Sequence, residues 1–290
     1  MGANPIWTIQ SILHWTTDYF KKHDIESPRL DAELLLAHVL KKSRIYLYTD
    51  FEQILNKEEL ALFKSYIQKR INGFSTAAII GEQEFMGVTL YVTEHVLIPR
   101  PDTETWVEKL IQYHRNDAHL FIADLGTGSG AVLASFLYYC KEAKGIGIDI
   151  SEEALQVASD NGIRLKLADR VEWRRGDYID ALKKDEIFDG IVTNPPYIPS
   201  GDIEKLDKEV RNEPMIALDG GKDGLDFYRS LAQKAYEHLS SGGFLAMEIG
   251  IGQKESVLDI LKKSESYDHF EVITDYGGIE RAIFCRKKPV

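Results

Sequence analysis

The chain has 290 residues, 44% of them hydrophobic and 28% charged, and a formal net charge of −11 at pH 7. That length accommodates two domains or one large one with ample core, and the composition is that of a soluble globular enzyme without repeats or low-complexity runs. No basic segment followed by an apolar core opens the sequence, and no apolar run approaches the roughly 20 residues a membrane span requires, so a cytoplasmic chain is expected.

Residues 1–74 are expected to form a small helical bundle. Ile9, Ile12, Leu13, Thr16 and Phe20 recur at the 3.6-residue period. Ser27 with Pro28 is an N-cap and first-turn pair, and Asn56 with Glu59 reads as a capping box. Gly73 is expected to end the last helix of the bundle. Residues 75–98 follow as a β-hairpin linker, in which Val88, Leu90 and Val92 alternate with Thr89, Tyr91 and Thr93 as in a half-buried strand. From Pro101 onward strand and helix patterns alternate, closing with strands near 270–274 and 281–286, so residues 99–290 are expected to build a doubly wound α/β domain.

The first chemistry-bearing element of that domain is the run 121–130, an apolar strand that enters a turn containing Gly126, Thr127, Gly128, Ser129 and Gly130 and then a helix over 131–140. Without Cβ atoms the three glycines let the backbone turn sharply and approach a ligand closely. The next strand, 145–149, ends on Asp149 about 20 residues after the loop, where a carboxylate can bind ribose hydroxyls. A nicotinamide site has the same spacing, so these two elements leave NAD and S-adenosylmethionine unseparated. A third strand, from Val171, ends near Asp177 and Tyr178, a pair able to accept from an adenine amino group and to stack on its ring.

Asn194-Pro195-Pro196-Tyr197 separates the two cofactors. Asn194 precedes a proline and is pushed towards extended geometry, and both prolines lock φ near −65°. The corner is stiff, and neither proline has an N–H, so the Pro195 carbonyl and the Asn194 side-chain oxygen are two adjacent acceptors able to hold one NH2 group. An amide nitrogen is a poor nucleophile, because its lone pair is delocalised into the carbonyl, until something orients it. Tyr197 is expected to lie against the flat face of that amide. Hydride transfer calls for no such grip; methyl transfer to nitrogen does.

Taken together, these segments resemble the N5-glutamine methyltransferases that act on peptide chain release factors, the PrmC or HemK family. The resemblance spans nearly the whole chain, through residues 27–36, 96–104, 124–130, 194–198, 217–225 and 248–253 in order. It implies a class I (Rossmann-like) S-adenosylmethionine methyltransferase domain behind an N-terminal helical substrate-recognition domain. It also implies S-adenosyl-L-methionine at Gly126 to Gly130, Asp149, Tyr178 and Asn194, and a substrate glutamine, that of the Gly-Gly-Gln tripeptide, at Asn194, Pro195, Pro196 and Tyr197. Arg100 and Glu104 flank the mouth of the site in this reading, placed to pair with each other or to shape the glutamine pocket, and Glu248 can face the site as well. The chain departs from the family at residues 75–80, where an acidic residue, a proline and a tyrosine are usual, at Asp102 for glutamate, and at Tyr178 for tryptophan.

Residues 1–74 hold ten Lys or Arg against nine Asp or Glu, which leaves −12 on the remainder, a poor surface for a DNA backbone. That balance argues against adenine N6 methylation, which the same corner could serve after base flipping. A cofactor-sensing scaffold is opposed by the intact amide grip. Within the glutamine methyltransferases, a sibling group that modifies a ribosomal protein shares the corner, and the N-terminal match favours release factors. Cys140 and Cys285 have no Cys or His neighbours at metal-ligand spacing, so free thiols, no metal and a cytoplasmic, monomeric enzyme without membrane or nucleic-acid contacts are expected.

Overall fold

The first helix starts where Thr8 can cap it: the Thr8 hydroxyl accepts from the Ser11 amide at 3.2 Å, and Ser11 Oγ accepts from the Thr8 amide at 2.9 Å. These bonds belong to a computed structural model that describes residues 6–289. The chain divides into two compact units between Gly81 and Glu82.

The first unit contains α1 (Ile9–Lys21), α2 (Pro28–Leu40), α3 (Tyr46–Thr49), α4 (Lys57–Ile71) and α5 (Thr76–Ile80). Ile9, Leu13, Phe20, Leu35 and Phe63 are among the fully buried residues of its core. The expected box at the start of α4 is present in both directions, Glu59 N to Asn56 Oδ1 at 2.9 Å and Asn56 N to Glu59 Oε2 at 2.8 Å. The bundle does not end at Gly73. Ser75 caps α5 by accepting from the Ala78 amide, Gly81 closes it in the left-handed region at φ +84°, and Ile79 enters the core. A cap and one buried side chain thus outweigh the weak helix propensity of Thr76 and the two isoleucines. Inside the unit Arg70 Nε meets Asp31 Oδ2 at 2.7 Å, both residues buried, which ties α4 to α2.

In the second unit β1 (Glu82–Phe85) and β2 (Val88–Tyr91) form the expected hairpin. It does not hang free: Phe85, Val88 and Leu90 share a core with Trp106, Leu110 and Phe136. The buried Asn161 side chain also clamps Tyr91, accepting from its amide at 2.7 Å and donating to its carbonyl at 2.9 Å. Then come α6 (Pro101–His114), β3 (Phe121–Leu125), α7 (Ala131–Tyr139), β4 (Lys144–Asp149), α8 (Glu152–Arg164), β5 (Val171–Arg175) and β6 (Phe188–Thr193). The unit closes with α9 (Lys208–Arg211), α10 (Asp226–Lys234), β7 (Leu239–Glu248), α11 (Lys254–Lys263), β8 (Tyr267–Thr274) and β9 (Glu280–Lys287).

The seven strands lie in the order β5-β4-β3-β6-β7-β9-β8, parallel except for the antiparallel pairings of β9. Successive residues point to opposite faces, so Ile122, Val192, Phe244 and Ala246 enter one core and Ala123, Ile191, Leu245 and Met247 the other. The doubly wound expectation holds. From β3 the chain winds outward through β4 and β5, then returns to place β6 on the other side of β3, which makes a crevice at the carboxyl ends of β3 and β6.

Replacing Asp31 with Ala should remove the buried ion pair between α2 and α4 and cost about 3 kcal/mol. In urea denaturation this would appear as a lower midpoint at unchanged slope; an unmoved midpoint would show that the pair contributes nothing net.

Candidate active site

The site begins with a register. Leu125 and Thr193, the last residues of β3 and β6, are partners across the parallel ladder, and Thr193 Oγ1 donates to the Leu125 carbonyl at 2.6 Å. Gly126 and Asn194 therefore leave the sheet side by side, and the glycine loop and the proline corner become neighbours.

Gly126, Gly128 and Gly130 all have positive φ, and a Cβ on Gly126 would come within 2.6 Å of the Tyr178 ring. The Gly126 and Thr127 amides both donate to the Ile148 carbonyl, at 2.9 and 2.8 Å. Asp149 is fastened to the same loop, its Oδ2 accepting from the Gly128 amide at 2.8 Å and its Oδ1 from Ser151 at 3.0 Å. Burial pushes the Asp149 carboxyl above its ordinary value while these backbone donors pull it down. Beneath the loop Asp124 is fully buried, which pushes it up to about 7 even though Thr127 Oγ1 donates to it at 2.6 Å. Tyr178 sits at φ +41°, an uncommon conformation for a bulky residue and one met where a site dictates the backbone.

These groups line one cavity of about 930 Å³, open solvent at its mouth included. Gly126, Thr127, Gly128, Ser129, Asp149 and Tyr178 face it with Asn194 and Pro196, and Leu97, Pro99, Pro214 and Ile216 supply apolar wall. The buried Asp124 and Thr103 also reach it. Of the residues singled out from sequence, Gly130, Asp177, Pro195, Tyr197, Arg100, Glu104 and Glu248 do not line it. Asp177 instead borders a separate recess with Ile179 and Phe227. Arg100 and Glu104 do not pair with each other. Arg100 meets Glu213 at 2.6 Å, and Glu104 Oε1 accepts from the Met86 amide at 2.9 Å. Burial pushes Glu213 up to about 7 against the pull of Arg100.

Two later segments hold the corner rigid. Ile198 N donates to Leu218 O at 3.0 Å, and Gly220 N returns to Ile198 O at 2.9 Å. Gln253 Nε2 donates to the Tyr197 carbonyl at 2.8 Å, while its own Oε1 accepts from the Gly250 amide at 2.9 Å. The approach is so close that a Cβ on Gly224 would lie 2.2 Å from the Tyr197 carbonyl oxygen. The Tyr197 ring packs against the core beneath α10 and α11 rather than facing the cavity, and its hydroxyl lies 3.4 Å from Glu248 Oε1. Glu248 Oε2 accepts from Thr103 Oγ1 at 2.6 Å and Trp106 Nε1 at 2.9 Å.

Sequence reading did not single out Thr103, Gln253, Gly220 and Gly224. The glycines and Gln253 fall within matched segments, but no spacing announces which carbonyl they approach. Thr103 falls within one too, 96–104, but lies 91 positions from Asn194, and nothing local announces that contact.

Residues 11–81 match the PrmC N-terminal domain family and residues 122–212 the Methyltransferase domain family. The chain is 40% identical over 279 residues to the release factor glutamine methyltransferase of Geobacter sulfurreducens, covering 96% of each. To that of Rhodopirellula baltica it is 35% identical over 286 residues, covering 97% of each. Among solved structures, a methyltransferase from Pyrococcus furiosus superposes with a TM-score of 0.52 at 20% identity, over 70% of this chain and 90% of that one. That likeness places the sheet and its helices in the Rossmann-like methyltransferase fold.

Gly224→Ala and Gly128→Ala separate backbone strain from contact. Both positions have positive φ, but nothing lies within 4 Å of a Cβ on Gly128. The Gly128 variant should lose about 1–2 kcal/mol of stability and the Gly224 variant clearly more, as measured by urea denaturation. Equal losses would show that the approach to Tyr197 does not limit the corner.

Proposed function

This chain belongs to the release factor glutamine methyltransferases, and from that membership we propose that it methylates the side-chain amide nitrogen, N5, of the glutamine in the Gly-Gly-Gln tripeptide of peptide chain release factors. S-adenosyl-L-methionine would supply the methyl group, as an electrophilic carbon on a sulfonium. The observation that carries this reading is the single cavity onto which both the glycine loop and Asn194 open.

The residues present fit that cofactor. Gly126 leaves space that a Cβ would fill against Tyr178, and the Tyr178 ring offers a flat face for adenine. Each Asp149 oxygen accepts one backbone bond and keeps lone-pair capacity for ribose hydroxyls.

On the substrate side, we take the acceptors for the two protons of the glutamine amide to be the Asn194 side-chain oxygen, on the cavity wall, and the Pro195 carbonyl, which the amide must reach just beyond that wall. Holding both protons fixes the nitrogen and the direction of its lone pair, which converts a poor nucleophile into an aligned one. With that cofactor bound, the nitrogen would take the methyl carbon as the C–S bond broke, and would then lose one proton to solvent. Tyr197 supports the grip from behind, through its core packing and its contact with Glu248. Leu97, Pro99, Pro196 and Ile216 keep water from competing for the acceptors.

The first unit is the part we propose to meet the release factor. It is near neutral beside −12 on the rest of the chain, and it exposes the aromatic residues Trp15, Tyr48 and Phe51. Such a reaction belongs in the cytoplasm, which suits the free, buried thiols of Cys140 and Cys285.

Labelled methyl should pass from S-adenosylmethionine to a purified release factor and not to a copy whose Gly-Gly-Gln glutamine is replaced by alanine. Label on neither would overturn the substrate assignment. Asn194→Ala should lower turnover about 100-fold or more with cofactor affinity largely kept, as read by calorimetry beside the transfer assay. Turnover close to that of the unaltered enzyme would remove Asn194 from the role given to it.

A further inference from the structure

We infer that Glu248, acting through Thr103, sets which end of the Asn194 amide faces the cavity, and is thereby a positioning residue for transfer to nitrogen. The inference rests on the amide-methylation reading, and it arises from a bond network that the reading does not require.

The oxygen and nitrogen of an asparagine side chain are nearly the same size, so shape alone does not choose between its two flips; the surrounding hydrogen bonds do. A donor presented to the cavity would oppose the N–H groups of a substrate amide, whereas an acceptor would hold them. Something must enforce the second arrangement.

Thr103 sits against Asn194, with Asn194 Nδ2 3.4 Å from Thr103 Oγ1. A threonine hydroxyl has one proton. At 2.6 Å from Glu248 Oε2, that proton is committed to the carboxyl group in a short bond. Thr103 then has only lone pairs left for Asn194, and an amide oxygen turned towards it would meet them lone pair to lone pair. The nitrogen must face Thr103, and Oδ1 is left for the cavity that both residues line.

The direction of the Thr103 bond is itself secured. Trp106 Nε1, which can only donate, shares the same Oε2 at 2.9 Å. Oε2 is therefore an acceptor whatever the charge on Glu248, and a proton taken up by this carboxyl would sit on Oε1. Oε1 faces the Tyr197 hydroxyl at 3.4 Å. Both ends of the proline corner thus hang from one carboxyl, through Thr103 at Asn194 and directly at Tyr197. Glu248 is only 4% exposed, and burying a carboxylate is costly unless its partners are well placed. Apolar side chains could fill the volume but could not supply this directionality.

Four variants test the relay: Thr103→Val, which keeps the shape and loses the hydroxyl, Thr103→Ser, which restores it, Glu248→Leu, which removes the acceptor, and Glu248→Gln, which restores one. A glutamine held by Trp106 keeps an oxygen where Oε2 stands, so the Thr103 proton keeps its acceptor. The expected result with a release factor is a fall in kcat of about 10- to 100-fold for Thr103→Val. The Kd for S-adenosylmethionine and the KM for the release factor should move little, Glu248→Leu should be about as slow as Thr103→Val, and Thr103→Ser and Glu248→Gln should each restore most of the kcat lost. Full kcat in Thr103→Val or Glu248→Leu, a serine variant as slow as the valine one, or a glutamine variant as slow as the leucine one would each overturn the inference. So would a loss of kcat matched by an equal loss of cofactor affinity.

A readout without substrate separates this failure from failure of the methylation reading. The side-chain 15N–1H2 signals of Asn194, assigned by their absence in Asn194→Asp, should shift in Thr103→Val and return in Thr103→Ser. Signals that do not move on loss of the hydroxyl overturn the relay, even if the unaltered enzyme methylates no release factor.

Discussion

The pairing of Leu125 with Thr193 is the constraint on which the site depends. Parallel strands joined through distant crossovers have no local turn to set their register, so the ladder and the Thr193 hydroxyl on the Leu125 carbonyl do it. Because the chain reverses its winding at β3, this pair also marks the place where the strand ends open into a crevice. Everything chemical follows within one residue: Gly126 turns away on one side, Asn194 on the other, and one cavity lies between them.

Around that pair the molecule places rigid backbone and buried polar groups rather than mobile side chains. The proline corner is stiff along its own chain, yet it would pivot as a body without outside support. Gln253, Gly220 and Gly224 provide that support by bonding to its carbonyls or closing on them at distances that exclude a Cβ. Asp124, Asp149 and Glu248 are each buried enough to be pushed towards their neutral forms, and each is held by short bonds from donors fixed in the fold. Such groups weaken a core if half satisfied and define a single arrangement when fully satisfied. Asp149 lines the cavity itself, Asp124 reaches it beneath the glycine loop, and Glu248 lies behind Thr103, which lines it.

The hairpin illustrates how tertiary contacts reassign a segment. Its alternation of Val88, Leu90 and Val92 with polar residues is visible in the sequence, and it is a hairpin. Which unit it belongs to depends on Asn161, about seventy residues away, whose amide pairs with both backbone groups of Tyr91, and on a core shared with Trp106. Residues 75–80 form a helix for a similarly local reason, a serine cap at one end and a glycine at the other, which a count of helix propensities overlooks. Tyr197 is the counterpart within the site. Its chemistry suits stacking on an amide, but the core and Glu248 draw its ring inward.

The sequence by itself determined those features that depend on residue type and short spacing. The helical bundle follows from periodicity and caps, the doubly wound domain from alternating patterns, the glycine loop and its carboxylate from the interval to Asp149, and the stiff corner from two prolines beside an asparagine. Each is a property of a few consecutive residues, whose backbone preferences and donor count travel with them. Tertiary structure alone decided the partners. Arg100 could have met Glu104 on the next helical turn and meets Glu213 instead. Thr103, Asn194 and Glu248 are scattered over 146 positions and converge because α6, β6 and β7 bring them together. Long-range pairing is chosen by how strands stack and helices pack over them, and no local preference encodes which of many distant hydroxyls or carboxylates will lie beside a given amide.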